Sequence, residues 1–203
     1  MKLHLASGNL HKAEEFAVLA AASARDDAPA IEIVSARAMG GMPEVVEDTG
    51  TFVGNARKKA AALRVRLPAG SWVLADDSGV CVDALHGGPG VESAYYAGPE
   101  ASGRANYEKL LRVLADVPDE RRGAYFFCLL LVLDGAGAEY VFEGRCQGRL
   151  LREPRGSAGF GYDPIFVPDG FDRSYAELGE DVKNRISHRA RAWAQLAEWG
   201  RRS

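Results

Sequence analysis

Cysteine is scarce in this chain. Cys81, Cys128 and Cys146 are odd in number, far apart and set in apolar stretches, which excludes a disulfide framework and a Cys-x-x-Cys zinc site. A reducing, cytoplasmic setting is the expectation. No hydrophobic run approaches membrane-spanning length, and Met1-Lys2-Leu3-His4-Leu5 reads as a short strand without the apolar core or cleavage site of a secretion signal, so no membrane role is expected. Basic charge is not in excess either. With 25 Lys and Arg against 28 Asp and Glu, the formal net charge is -3, which argues against the sequence-independent phosphate contacts used by readers of polymeric nucleic acid. A small anionic ligand needs only a local cluster of cations. Repeats, low-complexity tracts and obvious linkers are also missing.

What is present is a chain of 203 residues, enough for one large domain or two small lobes that bury roughly 70% of the unfolded surface. Leu3 to Ala6 reads as a strand, and Lys12 to about Ala24 as a helix with Phe16, Leu19 and Ala20 on its apolar stripe. Ile31 to Val34 follows as a strand. Thr51 to Leu67 is a helix whose stripe is Phe52, Ala56, Ala60, Leu63 and Leu67, with Lys58 and Lys59 off it. Trp72 to Asp76 is expected to end in a turn at Ser78-Gly79, with Val80 to Leu85 as a separate short strand before Gly87-Gly88-Pro89-Gly90 breaks regular structure. Tyr107, Leu110, Leu111 and Leu114 mark a third helix. Arg122 to Leu133 and Glu139 to Leu151 form an antiparallel hairpin. A short strand lies near Ile165 to Val167, and a final helix starts near Ser187 with Ala190, Trp193, Ala194 and Ala197 inward. The predicted fold is α/β, a central mixed β-sheet flanked by helices, in two lobes with the active-site cleft between them.

Four segments carry candidate chemistry. Asp76 and Asp77 end an apolar run; they can share a face only if the backbone turns after them, and such oxygen ligands suit Mg²⁺. The alternative is a solvated turn. Ser7-Gly8-Asn9-Leu10-His11-Lys12 joins a strand to a helix, where free N–H groups, the helix dipole and Lys12 favour an anion, unless Ser7 or Asn9 merely caps the helix. Glu44, Glu47 and Asp48 precede the second helix as further metal ligands or as dipole-complementing acids. Near the C-terminus, Phe160 between glycines reads as a stacking platform for a base, with Lys183, His188 and Arg189 as donors. The alternative buries Phe160 in the core and leaves the cations on a wet helix face.

Together these segments resemble the inosine triphosphate pyrophosphatase family, the bacterial dITP/XTP diphosphatases. The match covers nearly the whole chain: Ser7-Gly8-Asn9 with Lys12 and Glu15; Thr51-Phe52, Asn55-Ala56 and Lys59-Ala60; Ala75-Asp76-Asp77-Ser78-Gly79 with Val82-Asp83-Ala84-Leu85; Pro89-Gly90-Val91; Phe160-Gly161-Tyr162-Asp163-Pro164-Ile165-Phe166; Ala176-Glu177-Leu178; Lys183; and Ser187-His188-Arg189. The resemblance implies a single two-lobed nucleoside-triphosphate pyrophosphatase domain over residues 1–203, a homodimer, and Mg²⁺-dependent hydrolysis of non-canonical purine nucleoside triphosphates to monophosphate and pyrophosphate. It implies Asp77 as proton acceptor and Glu47 with Asp77 as metal ligands. Ser7, Gly8, Asn9, Leu10, His11, Lys12 and Lys59 are then triphosphate contacts, Ser78 touches substrate, and Phe160, Gly161, Tyr162, Asp163, Lys183, His188 and Arg189 hold the base. Donors around a 6-keto oxygen would disfavour adenine, whose 6-amino group meets them donor to donor.

The chain departs from the family pattern at Tyr95, where Arg is usual, at Ser174-Tyr175, where Thr-Phe is usual, and in an acidic stretch one residue short between Gly50 and Thr51, which leaves Glu44, Glu47 and Asp48 competing for the metal. Alternative readings are a pyrophosphatase for modified pyrimidine nucleotides and a nucleotide-binding regulator that does not hydrolyse.

Overall fold

Short apolar strands alternate with amphipathic helices through the first part of the chain: β1 (Lys2–Leu5), α1 (Leu10–Ser23), β2 (Glu32–Ser35), α2 (Phe52–Arg64) and β3 (Trp72–Val82). Then come α3 (Gly103–Val113), the hairpin of β4 (Gly123–Leu133) and β5 (Glu139–Leu150), β6 (Phe166–Pro168), and α4 (Tyr175–Leu178), α5 (Glu180–Ile186) and α6 (His188–Gly200). In this computed structural model, which describes residues 1–24 and 30–202, the strands form one sheet in the order β2-β1-β3-β4-β5-β6. The sheet is mixed, since β1 runs parallel to β2 and β3 while β5 and β6 are antiparallel. The predicted α/β class with a mixed sheet is thus observed.

Two compact units divide the chain. Unit 1 takes the described residues of Met1–Asp77, Cys128–Gly144 and the chain from Ala190 onward; unit 2 takes Ser78–Phe127 and Arg145–Arg189. In unit 1, Phe16, Leu19 and Ala20 of α1 and Ala192, Trp193, Leu196 and Ala197 of α6 pack with Leu3, Leu5, Leu74, Leu130 and Val132. Unit 2 has its own core, in which Leu110 and Leu114 meet Val80, Val82, Phe126, Ile165, Phe166 and Tyr175.

Several elements differ from expectation. β3 does not turn at Ser78-Gly79 but runs unbroken to Val82. Gly79 serves close approach instead: a Cβ there would lie 2.0 Å from the Gly90 carbonyl oxygen and 2.6 Å from Ser93 Oγ, the hydroxyl that accepts a hydrogen bond from Val80 N at 2.9 Å. On α2, Lys59 lies on the buried side with Asn55, Ala56, Ala60 and Leu63, because carboxylates meet its ammonium there. The helix stops at Arg64, whose guanidinium binds the carbonyls of Ser71, Asp134 and Gly135, so Leu67 follows the helix rather than extending its stripe. On α6, Ala194 is exposed and Ala190 only half-buried; the inward stripe runs through Trp193, Leu196 and Ala197. The short α4 and α5 were not predicted. A capping box had marked the first: Ser174 Oγ accepts from Glu177 N, and Glu177 returns a carboxylate to Ser174 N at 2.8 Å. Among the described residues no helix is long and apolar enough to cross a membrane.

Candidate active site

Unit 1 gathers acids and lysines from four places in the chain. Asn9 caps α1, its side-chain oxygen accepting from Lys12 N at 3.3 Å, and Ser7 Oγ accepts from Asn9 N at 3.2 Å, so the loop closes on itself at the positive end of the helix. Lys12, in the first turn, sends its ammonium to Asp76 Oδ1. Because β3 is straight, Asp76 and Asp77 project to opposite sides, and each meets a different lysine. Lys59 Nζ donates to Asp77 Oδ1 and to Glu47 Oε2, both at 2.7 Å. Asn55, one turn earlier on the same side of α2, accepts from the Thr49 amide at 3.2 Å and the Thr49 hydroxyl at 2.8 Å, which fastens the acidic loop to the helix. Of the three competing acids, only Glu47 shares a lysine with Asp77; Asp48 pairs with Lys58 at 2.5 Å in solvent, and Glu44 is exposed. Leu10 and His11 are also exposed, His11 lying 3.7 Å from Glu14.

Burial sets the electrostatics of this cluster. Lys59 is 7% exposed and Asp77 5%. Desolvation pushes the Asp77 carboxyl up from 3.8 to about 6, against the pull of the Lys59 and Lys12 charges. Burial alone would lower Lys59, but Asp77, Glu47 and Asp76 together hold its ammonium above the ordinary value. Among the described residues no group of three or more His, Cys, Asp or Glu forms a complete metal cage. The donor set still fits Mg²⁺, which takes one or two carboxylates and fills its shell with water and phosphate oxygen. Asp77 Oδ2 is buried with no hydrogen-bond partner, an unfilled acceptor of the kind a hard cation satisfies.

Unit 2 presents a ring among cations. Gly159, at φ 77, has no room for a side chain, since a Cβ would lie 2.2 Å from Asp163 Oδ2. That oxygen accepts from Phe160 N at 2.9 Å and from Lys183 Nζ at 2.7 Å, so one buried carboxylate fixes both the loop and the lysine. Lys183 Nζ sits 4.4 Å and the Arg189 guanidinium 5.4 Å from the centre of the half-buried Phe160 ring. Arg189 Nη2 donates to Ser78 Oγ at 2.8 Å. His188 is stacked on Phe126, ring centres 4.8 Å apart and planes at 12°. Tyr162 is buried, its hydroxyl donating to the Ser93 carbonyl at 2.8 Å, and desolvation raises its pKa. Gly161 lies half-buried beside Phe160 in the loop. The reading that left Lys183 on a wet helix face is overturned, since Lys183, His188 and Arg189 are all buried.

Residues 3–199 match the model of the Ham1 family. The chain belongs to the Ham1 family. Among its relatives, the dITP/XTP pyrophosphatase of Leifsonia xyli subsp. xyli is 45% identical over 97% of this chain and 94% of its own length. That of Leuconostoc mesenteroides is 41% identical over 98% and 96%. The structure of a HAM1 protein from Coxiella burnetii superposes with a TM-score of 0.85 at 36% identity, over 100% of both chains. Against this Ham1 background, Cys128 and Asn55 are groups that sequence reasoning left without a role, while Asp76, read with Asp77 as an oxygen ligand for Mg²⁺, meets Lys12 and Cys128. Asp76 was visible as half of an acid pair, but its partners were not, because Lys12 and Cys128 lie 64 and 52 residues away.

Proposed function

We propose that this chain hydrolyses non-canonical purine nucleoside triphosphates, of the kind ITP, dITP and XTP, to the monophosphate and pyrophosphate; its relatives in Leifsonia xyli and Leuconostoc mesenteroides are named dITP/XTP pyrophosphatases. The observation that carries the reading is Lys59 bridging Glu47 and Asp77 in a buried cluster with an unfilled carboxylate oxygen. Glu47 and Asp77 would hold Mg²⁺, which would supply positive charge to the phosphoryl oxygens. Asp77 takes the proton of the attacking water, whose oxygen bonds to the α-phosphorus as the bond to the pyrophosphate leaving group breaks. Lys12, Lys59 and the Ser7–Lys12 loop at the α1 N-terminus neutralise the triphosphate. In unit 2, Phe160 stacks on the base while Arg189, Lys183, His188 and the 160–163 loop set its hydrogen-bond pattern, with Ser78 beside Arg189 touching substrate.

We read residues 1–203 as one pyrophosphatase domain of two lobes, working as a homodimer in the cytoplasm. The resemblance supports the dimer, and three buried free cysteines fit a reducing compartment. A nucleotide panel of ITP, XTP, dITP, dUTP, methylated nucleotides and ATP, with and without Mg²⁺, tests the activity by pyrophosphate release. The expected result is release from ITP and XTP only when Mg²⁺ is present; preference for a pyrimidine, or binding without release, overturns it.

A further inference from the structure

We propose that Asp76 is a positioning residue that acts through Lys12, holding the ammonium aimed at the phosphoryl oxygens it receives without touching substrate itself. The inference rests on the pyrophosphatase reading and adds to it a residue to which that reading gives no role.

Three observations carry it. The Asp76 side chain is closed to solvent while that of Lys12 is 15% exposed, so an arriving phosphate reaches the lysine and not the acid behind it. Both carboxylate oxygens have partners: Oδ1 takes the Lys12 ammonium, and Oδ2 lies 3.3 Å from Cys128 Sγ on β4, which fixes the rotation of the carboxylate. Finally, Asp76 is bonded directly to Asp77. The placement of the ammonium and of the proposed base therefore share one stretch of rigid, buried strand.

The physical consequence is preorganisation. A lysine is a point charge on a flexible four-carbon stem, and without a fixed partner it meets the phosphate in many poses. Clamped by Asp76, it arrives with its entropy already spent, and a small misplacement of such a group lowers the rate far more than it lowers affinity. Removing the Asp76 charge frees Lys12 but leaves it cationic, so attraction for an anion persists while the aim is lost.

A double-mutant cycle tests this. In the parent background Asp76→Asn should lower kcat for ITP at least tenfold with KM unchanged or smaller, whereas in a Lys12→Met background the same substitution should change kcat/KM by less than twofold. Titration of metal-free protein with inorganic pyrophosphate should show weaker binding for Lys12→Met and undiminished binding for Asp76→Asn. Equal losses in both backgrounds, or pyrophosphate binding weakened by Asp76→Asn as much as by Lys12→Met, overturn the inference. If Asp76→Asn does not fold, Cys128→Ala removes only the thiol from Oδ2 and replaces it in the cycle. Its kcat should then fall severalfold with Lys12 present and not with Met at position 12, and equal effects overturn the inference. A parent chain that releases no pyrophosphate from ITP counts against the activity, while the pyrophosphate titration still decides the role of Asp76.

Discussion

Unit 1 and unit 2 each bury lysine against carboxylate, but the balance of charge differs. In unit 1 two ammonium groups, Lys12 and Lys59, face the three acids Glu47, Asp76 and Asp77. In unit 2 Asp163 pairs with Lys183, with Arg189 close by over the Phe160 ring. Carboxylates around lysine suit a divalent cation; cations over a ring face suit the acceptor atoms of a base. Buried charge is tolerated only when paired or when a ligand completes it, so a ligand's charge would be felt strongly at either cluster. On the function proposed, chemistry and specificity fall to different units and should be separable by mutation.

The largest effect is expected at Asp77. Asp77→Asn should lower kcat for ITP about 10³-fold, the order of a lost general base, while the preference for ITP over ATP stays as it was. A change in that preference would break the division between the units. The same variant tests the electrostatics without activity. The folded carboxyl has its pKa raised from 3.8 to about 6, so the metal-free parent favours the protonated acid and loses stability as pH rises from about 4 to about 6. The loss is up to roughly 3 kcal/mol. Thermal melts in EDTA should show Asp77→Asn without this decline and more stable than the parent at pH 8; parallel pH profiles would refute the burial argument.

Next in size is Gly79→Ala, which forces a methyl group against the Gly90 carbonyl. It should cost about 3 kcal/mol in denaturant unfolding through overpacking alone, giving a reference for packing damage without loss of charge. An unshifted midpoint would mean that the Gly90 segment yields. Smaller again, Arg189→Ala should reduce the ITP-to-ATP ratio of kcat/KM roughly tenfold, one hydrogen bond to a charged donor, with the Mg²⁺ dependence unmoved. An unaltered ratio would remove Arg189 from base recognition. Smallest is Asp48→Asn. Its carboxyl is held below the ordinary range by Lys58, but the pair is exposed, and neither melting nor turnover should change measurably; lost Mg²⁺ dependence would return Asp48 to the metal site.

Much of the fold was legible because its signals are local. The α1 stripe of Phe16, Leu19 and Ala20, the Asn9 cap, and the hairpin around Asp134-Gly135-Ala136-Gly137 rest on residues within a turn or two of one another. The misreadings have a common source. Lys59 was placed outside the apolar stripe because the pattern scores it as polar; a buried ammonium makes sense only once Asp77, 18 residues away, is known to face it. Gly79 read as a turn because glycine permits one, yet its task is to let the backbone near Gly90 approach β3. At the site, Phe160 and the cations were legible as residue types, while the stacking of His188 on Phe126 was not.

By itself, then, the chain's order of residues determined where strands, caps and hairpin form and which side chains are equipped for phosphate, metal and base, since those follow from backbone propensity and side-chain chemistry over short distances. Tertiary structure alone decided that Asp76 answers to Lys12 and Asp77 to Lys59, that Glu47 rather than Asp48 or Glu44 joins them, and that Asp163 ties Lys183 to the Phe160 loop. The reason is physical: a charge is stable inside a protein only beside its counter-charge, and which counter-charge it meets depends on how distant strands and helices pack.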